Sequence, residues 1–180
     1  TVLYYRFYIF IKLISYLNYK YRILLYFEFC LVKTYSKLYD TITSNEPTLE
    51  TTNLEVGTSN GYSGIWIGKA LKKTGGKLTT IEFYDKRLDI AKENFQKCGV
   101  ADIIDTRKGD AATILEYLPE DFRIDFAFVV ANKAQYIKFF HLIEPHLNVG
   151  GYIACDNVIS HATKVQTFID DINANPNYEN

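Results

Sequence analysis

Residues 54–64 read LEVGTSNGYSG, and the fold of the chain turns on how this stretch is parsed. Leu54 and Val56 end a buried strand, Gly57 and Gly61 make a tight turn, and Ile65, Trp66, Ile67 and Leu71 follow on a helix packed against a sheet. Glycine is expected at 57 and 61 because a Cβ would keep the turn's backbone amides away from a ligand. A second strand at 77–83, KLTTIEF, carries Glu82 near its carboxyl end. A carboxylate there suits the two hydroxyls of a ribose. The first expectation is a nucleoside-type cofactor held at the carboxyl ends of parallel strands.

Strands and helices alternate on from this stretch. The pattern predicts strand one at 53–57, a helix at 62–73, and a helix from Asp85, its N-cap, with Leu88, Ala91, Phe95 and Cys98 at helical spacing and Gly99 as its stop. A strand follows at 103–107, then a short helix at 110–118 and an almost wholly apolar strand at 124–130. A helix at 133–144 precedes Pro145, Gly150-Gly151 turns into a strand at 152–155, and a last helix spans 161–173. Such alternation predicts an α/β fold: a doubly wound, mostly parallel sheet with helices on both faces.

The glycine spacing, G-x-x-x-G-x-x-G with Glu55 two residues ahead, departs from the G-x-G-x-x-G of a pyrophosphate cradle and disfavours a nicotinamide-dependent oxidoreductase. It closely resembles the E-[VI]-G-T-x-x-G-Y-S motif of class I S-adenosylmethionine-dependent methyltransferases, in the catechol and caffeoyl-CoA O-methyltransferase superfamily. The resemblance runs over about residues 53–160 and takes in TTIE at Glu82, KGDA at Asp110, VVANK at 129–133, NVGG at 148–151 and ACDNVIS at 154–160.

The resemblance implies a Rossmann-like methyltransferase domain over 41–180 that moves a methyl group to a hydroxyl of a small, catechol-like aromatic acceptor. It implies that Glu55 and Gly57, with Gly61, frame the methionine part of S-adenosylmethionine and that Glu82 holds its ribose. Tyr62 and Ser63 are placed to donate to the cofactor's carboxylate from a helix N-terminus. Asp110 falls where the adenine is held, and it also reads as an N-cap, two roles that are compatible. Asp156 and Asn157 match two ligands of the family's divalent cation, Mg²⁺ or a similar ion. The third ligand there is an aspartate ending strand four, and the alignment of FVVANK puts Val130 in its place. Valine cannot ligate a metal; Asn132 lies two residues on. Lys133 fills the position of the proposed general base, or is a first-turn lysine of a surface helix. Val130 supports an alternative, a non-catalytic cofactor-binding or scaffold relative. Relatives end in an antiparallel strand pair, which is missing here. Either the chain is truncated, or the N-terminal segment or a partner completes one sheet edge.

Composition sets the remaining bounds. The chain has 180 residues, 48% of them hydrophobic, enough for one sizeable core. A formal net charge of -1 gives no broad cationic field for nucleic acid. Cys30, Cys98 and Cys155 form no C-x-x-C pair, which fits a reducing cytoplasm. Residues 1–40 hold thirteen of the 28 aromatic residues, and six Lys and Arg against Glu28 and Asp40. No run of about eighteen apolar residues builds up there. This segment reads as one or two helices covering the sheet or a dimer partner, or as a basic, aromatic membrane-surface anchor. A homodimer is expected from the relatives.

Overall fold

Five strands and the helices between them form in the order the alternation predicts. The computed structural model describes residues 52–158 and 160–178; the aromatic segment 1–40, with both of its readings, lies outside them. The elements are β1 (Thr52–Val56), α1 (Tyr62–Thr74), β2 (Lys77–Glu82), α2 (Asp85–Lys97), β3 (Ile104–Lys108), α3 (Ala111–Glu116), β4 (Ile124–Val129), α4 (Tyr136–Ile143), β5 (Leu147–Cys155) and α5 (Ala162–Ala174). Every pairing is parallel and the order is β3-β2-β1-β4-β5. The direction of winding therefore reverses between β1 and β4. In sheets of this kind the crevice at that reversal is where ligands bind.

Side-chain alternation assigns the two faces. Leu54 pairs with Ala127 and Val56 with Val129, so these four residues share one face of the sheet. They pack with Leu115 of α3, Tyr136, Phe139, Phe140 and Ile143 of α4, and Val165 and Phe168 of α5. Positions 136, 139, 140 and 143 are the i, i+3, i+4, i+7 stripe that a helix needs to cover a sheet. Glu55 and Thr80 pair on the opposite face, under α1. There α1 packs on α2 through two glycines. A Cβ at Gly61 or Gly64 would come within 2.8 or 2.9 Å of the Phe95 ring.

Several boundaries differ from the sequence reading. The helix expected at 133–144 begins only at Tyr136, because Lys133–Gln135 is a tighter 3-10 turn capped by the Asn132 side chain on the amide of Ala134 (3.2 Å). Tyr84, not Asp85, occupies the N-cap of α2. Cys98 is that helix's C-cap and is exposed, so it does not join Leu88, Ala91 and Phe95 in the core. The helix expected at 110–118 is only Ala111–Glu116. Gly150-Gly151 lies inside β5, not ahead of it. Leu147 pairs with Ile124 and Tyr152 with Phe126, so residues 148–151 bulge from the ladder, tied back by Asn148 Nδ2 donating to Asp125 Oδ1 at 2.8 Å. All five strands are parallel and no antiparallel pair occurs among the described residues. No helix among them is long and apolar enough to cross a membrane.

Candidate functional site

A cavity of about 440 Å³ opens at the carboxyl ends of β1 to β4, within the range of small-molecule sites. Gly57 and Ser59 come to it from the first turn, Glu82 from β2, Asp110 from β3, and Val130 and Asn132 from the end of β4. Apolar wall is added by Val56, Ile81 and Phe139, and the mouth carries Phe83, Tyr84 and Arg87. The Phe83 and Tyr84 rings meet edge to face at 5.2 Å, and the Arg87 guanidinium lies 5.2 Å from the centre of the Tyr84 ring.

Glu82 is buried and held at both oxygens. Its Oε2 accepts from the amide of Ser59 (2.7 Å) and its Oε1 from the amide of Tyr84 (2.9 Å). Each oxygen keeps a further lone pair, so the carboxylate can take two more donors without moving. Asp110 caps α3 through its Oδ2, which accepts from Thr113 N (2.9 Å) and Thr113 Oγ1 (3.0 Å). Those bonds hold its pKa below the ordinary value. Its expected capping role is observed, and its Oδ1 is not used by that cap.

The glycine turn does a different job from the one expected. A Cβ on Gly57, at φ 107°, would meet the carbonyl oxygen of Val130 at 2.5 Å, so this glycine lets β1 approach β4. The amides of Gly57 and Thr58 bond to Ile81 O, that of Gly61 to Thr58 O, and that of Ser59 to Glu82. The turn is fixed from within, and these four amides do not reach out for a ligand.

Glu55, Gly61, Tyr62 and Ser63 lie outside the cavity wall. Glu55 is fully buried beneath the turn, where its Oε2 accepts from Thr80 Oγ1 (2.6 Å); Thr80 Oγ1 is itself 2.6 Å from Thr58 Oγ1. Its Oε1 has no partner. Burial pushes the Glu55 pKa up to about 7 against hydrogen bonds from Ser63 and Thr80, with the Glu82 charge pushing the same way.

Lys133, Asp156 and Asn157 are likewise not among the residues that line the cavity, although their neighbour Ala131 is. Lys133 Nζ donates to Ala131 O (3.3 Å) and lies 5.4 Å from the centre of the Tyr136 ring. Burial lowers its pKa, partly opposed by Asp156 and Cys155. The Asp156 amide bonds to Val129 O at 3.1 Å. Asn157 is exposed, with φ 60°, a left-handed geometry that asparagine tolerates. His161 starts α5 at its N-cap position and makes no contact that argues for ligation.

The donors fit a nucleoside cofactor better than a metal. Val130, at the position the resemblance gives to a third ligand, offers no ligating side-chain atom, and the Asn132 oxygen caps its own turn. Among the described residues no group of three or more His, Cys, Asp or Glu could hold a metal ion. One carboxylate and one exposed amide do not make a three-ligand centre for a hard cation. Sequence reasoning also missed Tyr136, whose hydroxyl reaches Val129 O (2.9 Å) and Asp156 O (3.0 Å). Burial raises the pKa of this hydroxyl and keeps its proton in place.

The sequence model of a family described as O-methyltransferase matches residues 48–175. The chain belongs to the O-methyltransferase family. It is 36% identical over 108 residues to a catechol O-methyltransferase of Niastella koreensis, a match covering 59% of this chain and 48% of that protein. It is 34% identical over 115 residues to caffeoyl-CoA O-methyltransferase 1 of Eucalyptus globulus, covering 62% and 46%. The chain thus spans about half the length of these relatives. The crystal structure of the O-methyltransferase TomG from Streptomyces achromogenes, solved in complex with S-adenosylmethionine, superposes with a TM-score of 0.63 at 28% identity, covering 69% of this chain and 61% of TomG. The O-methyltransferase fold is therefore the fold of the described residues.

Proposed function

We propose that this chain is the cofactor-binding and catalytic part of an S-adenosylmethionine-dependent O-methyltransferase acting on a hydroxyl of a small, catechol-like aromatic. The observation that carries the reading is Glu82, buried at the carboxyl end of β2 with both oxygens anchored and each still open to a further donor. Such a carboxylate suits the two hydroxyls of a ribose, with Asp110 and Ala111 beside the adenine and Gly57 beside the methionine part. Glu55 and Ser63 then support the turn from behind, and Gly61 and Tyr62 start the helix that follows it.

Bound S-adenosylmethionine supplies an electrophilic methyl on a sulfonium, whose sulfur keeps the electron pair of the broken bond. The chain's residues orient the acceptor and take its proton. Lys133 accepts that proton at Nζ, helped by the burial that lowers its pKa. Asp156, close enough to influence Lys133, then stabilises the ammonium that forms. With Val130 in place of an acid, the reading is transfer without a bound divalent cation.

The test is incubation with methyl-labelled cofactor and a panel of catechols, with EDTA or with Mg²⁺. Labelled methyl ether formed at rates that agree within about twofold in the two conditions is the expected result. Cofactor binding with no transfer to any acceptor would favour the second reading, a non-catalytic relative, which Val130 supports.

A further inference from the structure

We propose that Tyr136 is a positioning residue for the acceptor end of the site, holding Lys133 and Asp156 at a fixed separation. The inference rests on the methyltransferase reading for its catalytic consequence, but its geometric basis is independent. Tyr136 is 1% exposed, and Phe168 packs edge to face on its ring at 6.0 Å. The side chain therefore has one available pose. Its single hydroxyl proton is shared between Val129 O, the last residue of β4, and Asp156 O, the first residue past β5. Val129 O has a second donor in the amide of Asp156, whereas Tyr136 is the hydrogen-bond donor seen at Asp156 O. Lys133 Nζ lies 5.4 Å from the centre of the same ring. One side chain thus bridges the ends of two strands and packs beside the lysine.

Its position in the sequence explains the arrangement. Lys133 and Tyr136 stand three apart across a 3-10 turn, where side chains at i and i+3 eclipse. That spacing puts the lysine beside the ring, since side chains three apart are neighbours in either kind of helical turn.

The test compares Tyr136→Phe with Tyr178→Phe. The control deletes a tyrosine hydroxyl that donates to Glu144 at 3.1 Å and bonds to neither Val129 nor Asp156. Tyr136→Phe is expected to lower kcat toward a catechol about tenfold, the loss of roughly one hydrogen bond, with the cofactor Kd within about twofold of wild type. Amide hydrogen exchange read by mass spectrometry should accelerate in residues 156–158 and stay unchanged in residues 53–57. Tyr178→Phe should leave both kcat and these exchange rates unchanged. Unaltered exchange in residues 156–158 would overturn the proposal. So would a fall in melting temperature above about 10 °C, or a cofactor Kd that weakens in step with kcat, since either assigns the hydroxyl to the sheet as a whole. A wild-type protein with no transferase activity would sink the methyltransferase reading alone, because the exchange data still decide the role of Tyr136.

Discussion

Glu55 on β1 and Glu82 on β2 are both buried, yet only Glu82 lines the cavity. Replacing Glu82 with Gln leaves the fold's packing but removes the charge, and should weaken S-adenosylmethionine binding by about 10- to 100-fold, as expected for losing hydrogen bonds to a charged group. Isothermal titration of the variant reads this directly, and an unchanged Kd would remove Glu82 from the site. Glu55 predicts a pH effect on stability. In the folded chain it keeps its proton up to about pH 7, whereas unfolded it ionises near 4.5. Its contribution is whole below pH 4.5 and drains away as the pH rises to about 7, a loss of about 3 kcal/mol over that window. Denaturant titrations should show the wild type losing this much relative to Glu55→Gln; parallel pH curves for the two proteins would refute it. Lys133→Ala should lower kcat about 100-fold or more with little change in cofactor affinity, the usual cost of removing a general base. A variant that keeps the wild-type kcat makes Lys133 a surface lysine after all. Glu82, Asp110 and Gly57 could be read from sequence because each sits at or just past a strand's carboxyl end, where a parallel sheet must open. Glu55 could have been assigned to the far face as well. Its neighbours Leu54 and Val56 both face the core, and alternation turns the residue between them away.

At the scale of elements, the first turn and the end of β4 form one unit. Gly57→Ala would drive a Cβ against the Val130 carbonyl and strain a φ of 107°, costing roughly 3 kcal/mol and about 10 °C of melting temperature. Differential scanning calorimetry checks it, and a shift under about 2 °C would mean that β1 and β4 do not meet so closely. The five strands and five α-helices of the described residues were readable because apolar strands and helical stripes alternate along the chain. What could not be read was backbone detail. Gly150-Gly151 looks like a turn, but flanking residues extend pairing to Leu147 and make it a bulge. Lys133 looks like a helix start, but Asn132 caps a 3-10 turn first.

Across the whole molecule, a parallel sheet with a winding reversal beside β1 puts every polar cavity group on one edge. The acceptor's own contacts are a separate matter, since the chain spans about half the length of its catechol and caffeoyl-CoA relatives. The central claim is that this edge holds S-adenosylmethionine, and thermal unfolding tests it most directly. Ligand at about a hundred times its Kd adds about 2.7 kcal/mol, a rise of roughly 5–10 °C for a chain of this size. The account predicts that rise with S-adenosylmethionine, no rise with NAD, and no further rise on adding Mg²⁺. An unchanged melting temperature with S-adenosylmethionine, or an equal rise with NAD, would contradict it.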